Sequence, residues 1–163
     1  MNLQIEWMRP IQLSDASKQK MLYDLNLSKI PRATAGVYIF GRRLGSQFEA
    51  LYVGQATKLN GRIHSHLNDL RLMQHLQQAK RGARIVLAGR TKTRRGQKLD
   101  RCLRLAELAL IRHFLSNGDD LINKQGRRLW RHSFESSGQS RKPLLPRTIN
   151  YSGLTAKRGG TSL

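Results

Sequence analysis

The densest apolar runs of the chain are short and rich in β-branched or aromatic residues: 37–40 reads Val-Tyr-Ile-Phe and 50–53 reads Ala-Leu-Tyr-Val. Runs of that length and composition favour strands. The stretch between them, 41–49, is polar and holds two glycines, so the pair reads as a β-hairpin with a long loop. From about 59 to 80 the period lengthens. Ile63, Leu67, Leu70 and Gln74 form one row and Arg62, His66, Asp69 and Met73 the next, which is helical spacing. Residues 84–88 predict a third strand, and 89–98, rich in Arg, Lys, Thr and Gly without an apolar period, predict a loop. A further helix is expected over 99–115, stopped by Asn117-Gly118. Upstream, the partial alternation of 3–8 suggests a short strand, Ser14 precedes a helix candidate at 15–25, and Pro31 with the small residues 33–36 makes a turn. Residues 121–123 are either a short strand or an extended exit, and Gly159-Gly160 lie in a fraying end. The order predicts an α+β fold, a small mixed sheet of about three strands flanked by helices. It divides into an N-terminal arm (1–33), a core (34–125) and a basic C-terminal tail (126–163).

Charge changes the picture. The 163 residues include 30 Lys or Arg against 10 Asp or Glu, a formal net charge of +20. A compact chain with that surplus repels itself unless a polyanion is near, and nucleic acid is the commonest polyanionic partner of basic chains. The hydrophobic content of 39% is too high for a purely disordered basic tail. Cys102 is the single cysteine, which excludes an internal disulfide and a multi-thiolate metal site. Residues 1–10 lack the pattern of a secretory signal, and no stretch approaches the roughly 18 apolar residues of a membrane span. The expected setting is reducing and cytoplasmic, with no membrane partner.

Chemistry-bearing residues stand out against that background. At about 100° per residue, Glu107 projects within about 40° of Leu103, on the side shared with Leu110, Ile111 and Phe114. A carboxylate in an apolar face is either ion-paired, here with Arg104 one turn earlier, or retained for use. The remaining acids are scattered, and the Asp119-Asp120 pair falls in a turn. A two-metal centre needs several converging carboxylates. One hard cation held by a single carboxylate, water and substrate phosphate is the economical arrangement. Tyr38 and Tyr52 each sit inside an apolar strand, flanked by Gly36 and Gly54. Arg62 and His66, four apart on one helix, can clamp an anion and share a proton. Arg90, Lys92, Arg94, Arg95 and Lys98 crowd the loop before the last helix, and Arg127, Arg128 and Arg131 surround Trp130 in the tail. Arginine in such segments grips phosphate or reads guanine.

Gly36-Val37-Tyr38 followed by Tyr52-Val53-Gly54 resembles the paired signature of the GIY-YIG nuclease superfamily, with valine for isoleucine in both halves. The stretch 51–66, ending in Arg62 and His66, looks like the second motif running into the family's arginine helix. Glu107 and Asn123 match the metal-binding glutamate and following asparagine in order and type. The resemblance covers roughly residues 34–125. It implies a GIY-YIG-like core that hydrolyses phosphodiester bonds with one divalent metal, magnesium or in its place manganese. Glu107 would bind the metal, Tyr38 would activate water, Tyr52 would orient it, Arg62 would stabilise the phosphorane-like transition state and Asn123 would support the site. His66 would be the base itself or its relay. Gln55 stands where the family commonly has lysine, so Arg43 or Lys58 would supply that cation.

The expected activity is a DNA endonuclease acting on duplex DNA. Because no large second domain is evident, a sequence-specific restriction type is favoured. A structure-selective or single-strand-selective nuclease of repair, recombination or phage defence, and a non-catalytic nucleic-acid binding module, are the alternatives. A monomer and a homodimer are both compatible with the sequence.

Overall fold

The computed structural model describes residues 3–124, together with the backbone course of 129–135 and 148–154. In chain order the first unit contains β1 (Gln4–Trp7), β2 (Ile11–Gln12), β3 (Ser14–Asp15), β4 (Tyr23–Asp24), β5 (Gly36–Leu44), β6 (Gln47–Ala56), α1 (Leu59–Leu67), α2 (Leu70–Gln78), β7 (Ala83–Lys92) and α3 (Leu99–Ser116). The main sheet runs β1-β7-β5-β6, with β2 also on β7. Every pairing in it is antiparallel, which corrects the expected mixed sheet of about three strands to an antiparallel one of five. β1 and β2 lie end to end along one edge of β7, pairing with Gly89–Lys92 and Ile85–Val86 respectively. Pro10 lies between them, and its missing N–H interrupts any continuous ladder. Residues 4–7 and 11–12 are therefore strands of this sheet, whereas β3 and β4 pair with each other in a separate two-stranded sheet.

Alternation along β5 divides the core. Tyr38 and Phe40 face one side, with Val86 and Ala88 of β7, and are covered by Ile63 and Leu67 of α1, Leu72, Met73 and Leu76 of α2, and Ile11, Leu13 and Ile30 from upstream. Ile39 faces the other side, where Val53 and Ala50 meet Ile111 of α3 and Leu121. A bulge opposite Phe40 and Gly41 lets Leu51 join the side of Tyr38 while Ala50 turns to the side of α3.

Local chemistry explains where elements depart from the periodicity. The expected loop 41–49 is strand almost throughout, closed by a two-residue turn in which Gly45 has φ 59°. Arg42 and Glu49, opposite one another, pair across the ladder. The candidate helix at 15–25 is instead β3, a 3₁₀ turn and β4: the Asp15 carboxylate accepts the Ser17 N–H at 2.8 Å, the local bond by which Asp competes with helix. The helix expected over 59–80 is two helices, because Asp69 caps α2 by accepting the Leu72 N–H at 3.1 Å. β7 continues through Lys92, into the segment expected to be loop, because β1 pairs there and Glu6 reaches Lys92 at 3.0 Å. Residues 122–124 form a 3₁₀ turn, not a strand.

The second unit, residues 124–163, contains an antiparallel pair, β8 (Leu129–Glu135) and β9 (Thr148–Leu154). Among the described residues no helix is long and apolar enough to cross a membrane.

Candidate active site

The β5–β6 register sets Tyr38 opposite Gly54 and Phe40 opposite Tyr52 on one face of the sheet. The Tyr38 and Tyr52 rings stack at 6.0 Å with 26° between their planes, and Phe40 meets each edge-on. This aromatic cluster needs a bare backbone beneath it. A Cβ on Gly54 would strike the Tyr38 hydroxyl and would lie 2.9 Å from the Tyr52 ring. Gly36 is required for a different reason: a Cβ there would collide with the Gly89 carbonyl of the neighbouring strand.

Helix α1 lays Arg62 and His66 over this cluster. Ile63 and Leu67, buried on the same helix, fix its rotation and turn His66 inward, where it is 6% exposed. Its ring centroid lies 5.5 Å from that of Tyr38, 4.9 Å from Tyr52 and 5.9 Å from Phe40. The Tyr38 hydroxyl and His66 Nε2 are 2.6 Å apart. Burial holds the Tyr38 pKa well above the ordinary phenolic value; Tyr52 adds to the shift and Arg62 opposes it. Burial, reinforced by the Arg62 charge and opposed by Asp69, pushes His66 down to about 4. At neutral pH a protonated phenol therefore faces a neutral imidazole, and the direction of the bond between them is set by which ring nitrogen carries the proton. The other ring nitrogen, Nδ1, faces the Asp69 carboxylate at 3.9 Å. Arg62 is exposed beside the two tyrosine hydroxyls, and Tyr52 is half-buried. The cluster thus has a wet rim, Arg62 and Tyr52, above a buried donor–acceptor pair.

Tyr38, Tyr52, Arg62 and His66 come together here. Glu107 arrives from elsewhere: it is half-buried on α3, on the helix side that carries buried Leu103 and Ile111, and α3 packs on the opposite face of the sheet. Among the described residues β6 is an edge strand of the sheet, and both α1 and α3 contact it. Asn123 lies along that edge. Its amide nitrogen donates to the Val53 carbonyl at 2.5 Å, and its amide oxygen faces the Val53 N–H at 3.5 Å. The side chain extends the sheet by one position and anchors the chain after α3.

Among the described residues no group of three or more His, Cys, Asp or Glu converges as a metal cage. One half-buried carboxylate, Glu107, suits a hard cation that completes its shell with water and substrate phosphate oxygens. It does not suit a site built from protein ligands alone.

The candidate phosphate-binding residues separate. Arg43, near the hairpin tip, and Lys58, just before α1, are exposed. Arg90 and Lys92 are strand residues of β7, and Lys92 is paired with Glu6. Arg94, Arg95 and Lys98 are exposed in the β7–α3 connection, where Gln97 accepts the Arg94 N–H at 2.9 Å. Arg127 and Arg128 lie outside the described residues, and Arg131 falls in β8. Arg84, also within this basic stretch, has another occupation: its guanidinium donates to the carbonyls of Leu76, Gln77, Ala79, Lys80 and Gly82, closing the C-terminal end of α2. Sequence reasoning passed over Asp69 and Phe40. The signal for Asp69 was its place in the helical row after Arg62 and His66. Comparisons of this chain with protein-family models, curated proteins and solved structures return no match.

Proposed function

We propose that the chain is a divalent-metal-dependent DNA endonuclease of GIY-YIG type, acting on duplex DNA in the manner of a sequence-specific restriction enzyme. The reading is carried by one observation: the Tyr38 hydroxyl set 2.6 Å from Nε2 of a buried His66, with Arg62 one helical turn away at the rim. Phosphodiester hydrolysis needs a cation on the phosphate, a sink for the proton of the attacking water and a stabilised leaving oxygen.

Arg62 binds the scissile phosphate through its non-bridging oxygens and stabilises the charge that grows there. Its own charge depresses the His66 pKa. A phosphate on Arg62 offsets that charge, so substrate binding makes Nε2 a stronger base at the moment it is needed. Water attacks phosphorus as the bond to the leaving oxygen breaks. In this reading the hydroxyls of Tyr52 and Tyr38, carried on stacked rings, link the rim to the buried pair. The water proton passes along them as the Tyr38 proton moves to Nε2, and the leaving alkoxide takes a proton from solvent. A magnesium or manganese ion on Glu107 would supply Lewis-acid stabilisation of the phosphate and leaving oxygen. Asn123 holds the β6 edge, and Arg90, Arg94, Arg95 and Lys98 supply affinity for flanking phosphates.

The test is cleavage of duplex DNA by the full chain with magnesium or EDTA, beside Glu107→Gln, Tyr38→Phe and Arg62→Ala. Magnesium-dependent cutting into discrete fragments, largely lost in all three variants, is the expected result. Tight binding without cutting across sequences and metals would overturn the enzyme reading in favour of a binding module. Cutting confined to junctions or single strands would replace the restriction type by a structure-selective one.

A further inference from the structure

We infer that Asp69 is a positioning residue of this site, holding His66 in the tautomer that carries its proton on Nδ1 so that Nε2 stays free to accept from Tyr38. Its consequence for catalysis rests on the nuclease reading above; the tautomer itself rests on geometry. The chain between α1 and α2 folds back on the end of α1, with the Asp69 N–H donating to the His66 carbonyl at 3.0 Å. One carboxylate oxygen of Asp69 is occupied by the Leu72 N–H at 3.1 Å. The other is left facing His66 Nδ1 at 3.9 Å. That separation is long for a direct hydrogen bond, so the carboxylate acts through its field.

The groups facing the imidazole are Tyr38 and Phe40 from β5, Tyr52 from β6, Arg62 on its own helix and Asp69. Of these Asp69 brings the one negative charge, and it stands on the Nδ1 side. A proton on Nδ1 points at the carboxylate, whereas a proton on Nε2 would point at the Tyr38 oxygen and displace its donated bond. When the Tyr38 O–H bond breaks and the Nε2–H bond forms, the electron pair stays on the phenolic oxygen, which is refilled by the proton from the water side. The resulting imidazolium has its Nδ1–H directed at Asp69. The side chain therefore does two jobs at once, capping α2 and fixing the direction of the proton path.

Asp69→Asn separates the two jobs. Asparagine caps a helix as well as aspartate, but its NH₂ replaces the oxygen facing Nδ1. Asp69→Ser also keeps a cap while removing the carboxylate. At pH 7.5, long-range ¹H–¹⁵N correlation of the full chain should show the wild-type His66 ring protonated on Nδ1, and both variants shifted toward protonation on Nε2. Cleavage of plasmid DNA with magnesium should fall about 10- to 100-fold in kcat with KM held. A wild-type ring protonated on Nε2, or variants with the wild-type tautomer, would overturn the assignment. A tautomer that switches as expected in a chain that cuts no DNA supports the positioning role and rejects the nuclease.

Discussion

Acidification should loosen this protein through His66 in particular. An ordinary imidazole protonates near 6.5, whereas burial and the Arg62 charge bring His66 down to about 4. Between those values the unfolded chain takes up a proton that the folded chain refuses, so lowering the pH favours unfolding. The contribution is fully present above about pH 6.5, is lost as pH falls toward about 4, and changes no further below that. At about 1.4 kcal/mol for each tenfold in proton affinity, the full loss is about 3 kcal/mol. The remaining exposure of His66, 6%, is small enough that solvent screening removes little of it. Urea unfolding at pH 7.5, 6.5, 5.5 and 4.5, for wild type and His66→Gln, isolates this contribution, because every other histidine and carboxylate titrates in both chains. The variant starts weaker at pH 7.5, having traded the Nε2 acceptor for an amide, and the gap should close by about 3 kcal/mol on the way to pH 4. Parallel curves would refute the reasoning. So would a His66 Cε1–H resonance titrating near 6.5 instead of about 4.

Four further outcomes follow from particular interactions. Gly54→Ala drives a Cβ into the Tyr38 ring and hydroxyl, so it should destabilise by about 1–3 kcal/mol in urea and abolish cleavage, while filter binding shows DNA affinity retained. Arg84→Met strips partners from the carbonyls that end α2 and should lower stability by about 2–3 kcal/mol without changing DNA affinity at fixed salt. Arg94→Ala with Arg95→Ala should leave the thermal midpoint near wild type and flatten the plot of log affinity against log salt by about 0.9 for each phosphate that is no longer neutralised. Asn123→Ala loses the bonds to the Val53 backbone and should speed hydrogen exchange along the β6 edge, with about 1–2 kcal/mol of lost stability.

The elements that were legible are those whose signal is local. The runs 37–40 and 50–53 are strand in any context, and the apolar side of 99–115 can only be a helix packed against something. What escaped the sequence was decided by partners far away or by one hydrogen bond. Residues 41–49 are polar because their side chains reach across the ladder, as Arg42 does to Glu49, and polarity alone does not separate a paired ladder from a loop. The break at Asp69 is hidden because apolar residues resume helical spacing immediately, so the row continues while the backbone turns. Asp15 shows the opposite error, where a helix expected after Ser14 was outweighed by a carboxylate accepting the N–H of Ser17 two residues on.

The site divides along the same line. That Arg62 and His66 adjoin follows from four-residue spacing alone. That His66 meets Tyr38, 28 positions earlier, depends on which side of α1 is pressed to the sheet, and this is set by Ile63 and Leu67 filling the core beneath it. Glu107 marks the limit of face arithmetic: its direction on α3 follows from the helical period, but its half-burial depends on how the helix lies against β6. Gly54 joins the two kinds of information. A glycine in a strand weakens pairing unless something else needs its volume, and here that volume holds the Tyr38 ring on its way to His66. The glycine is thus a statement about the tyrosine opposite, and the tyrosine's position is a statement about the histidine above. A chain that kept Tyr38 and His66 but filled position 54 would break the 2.6 Å hydrogen bond while retaining both residues, which is why the spacing of small and aromatic positions carries the site even before its geometry is considered.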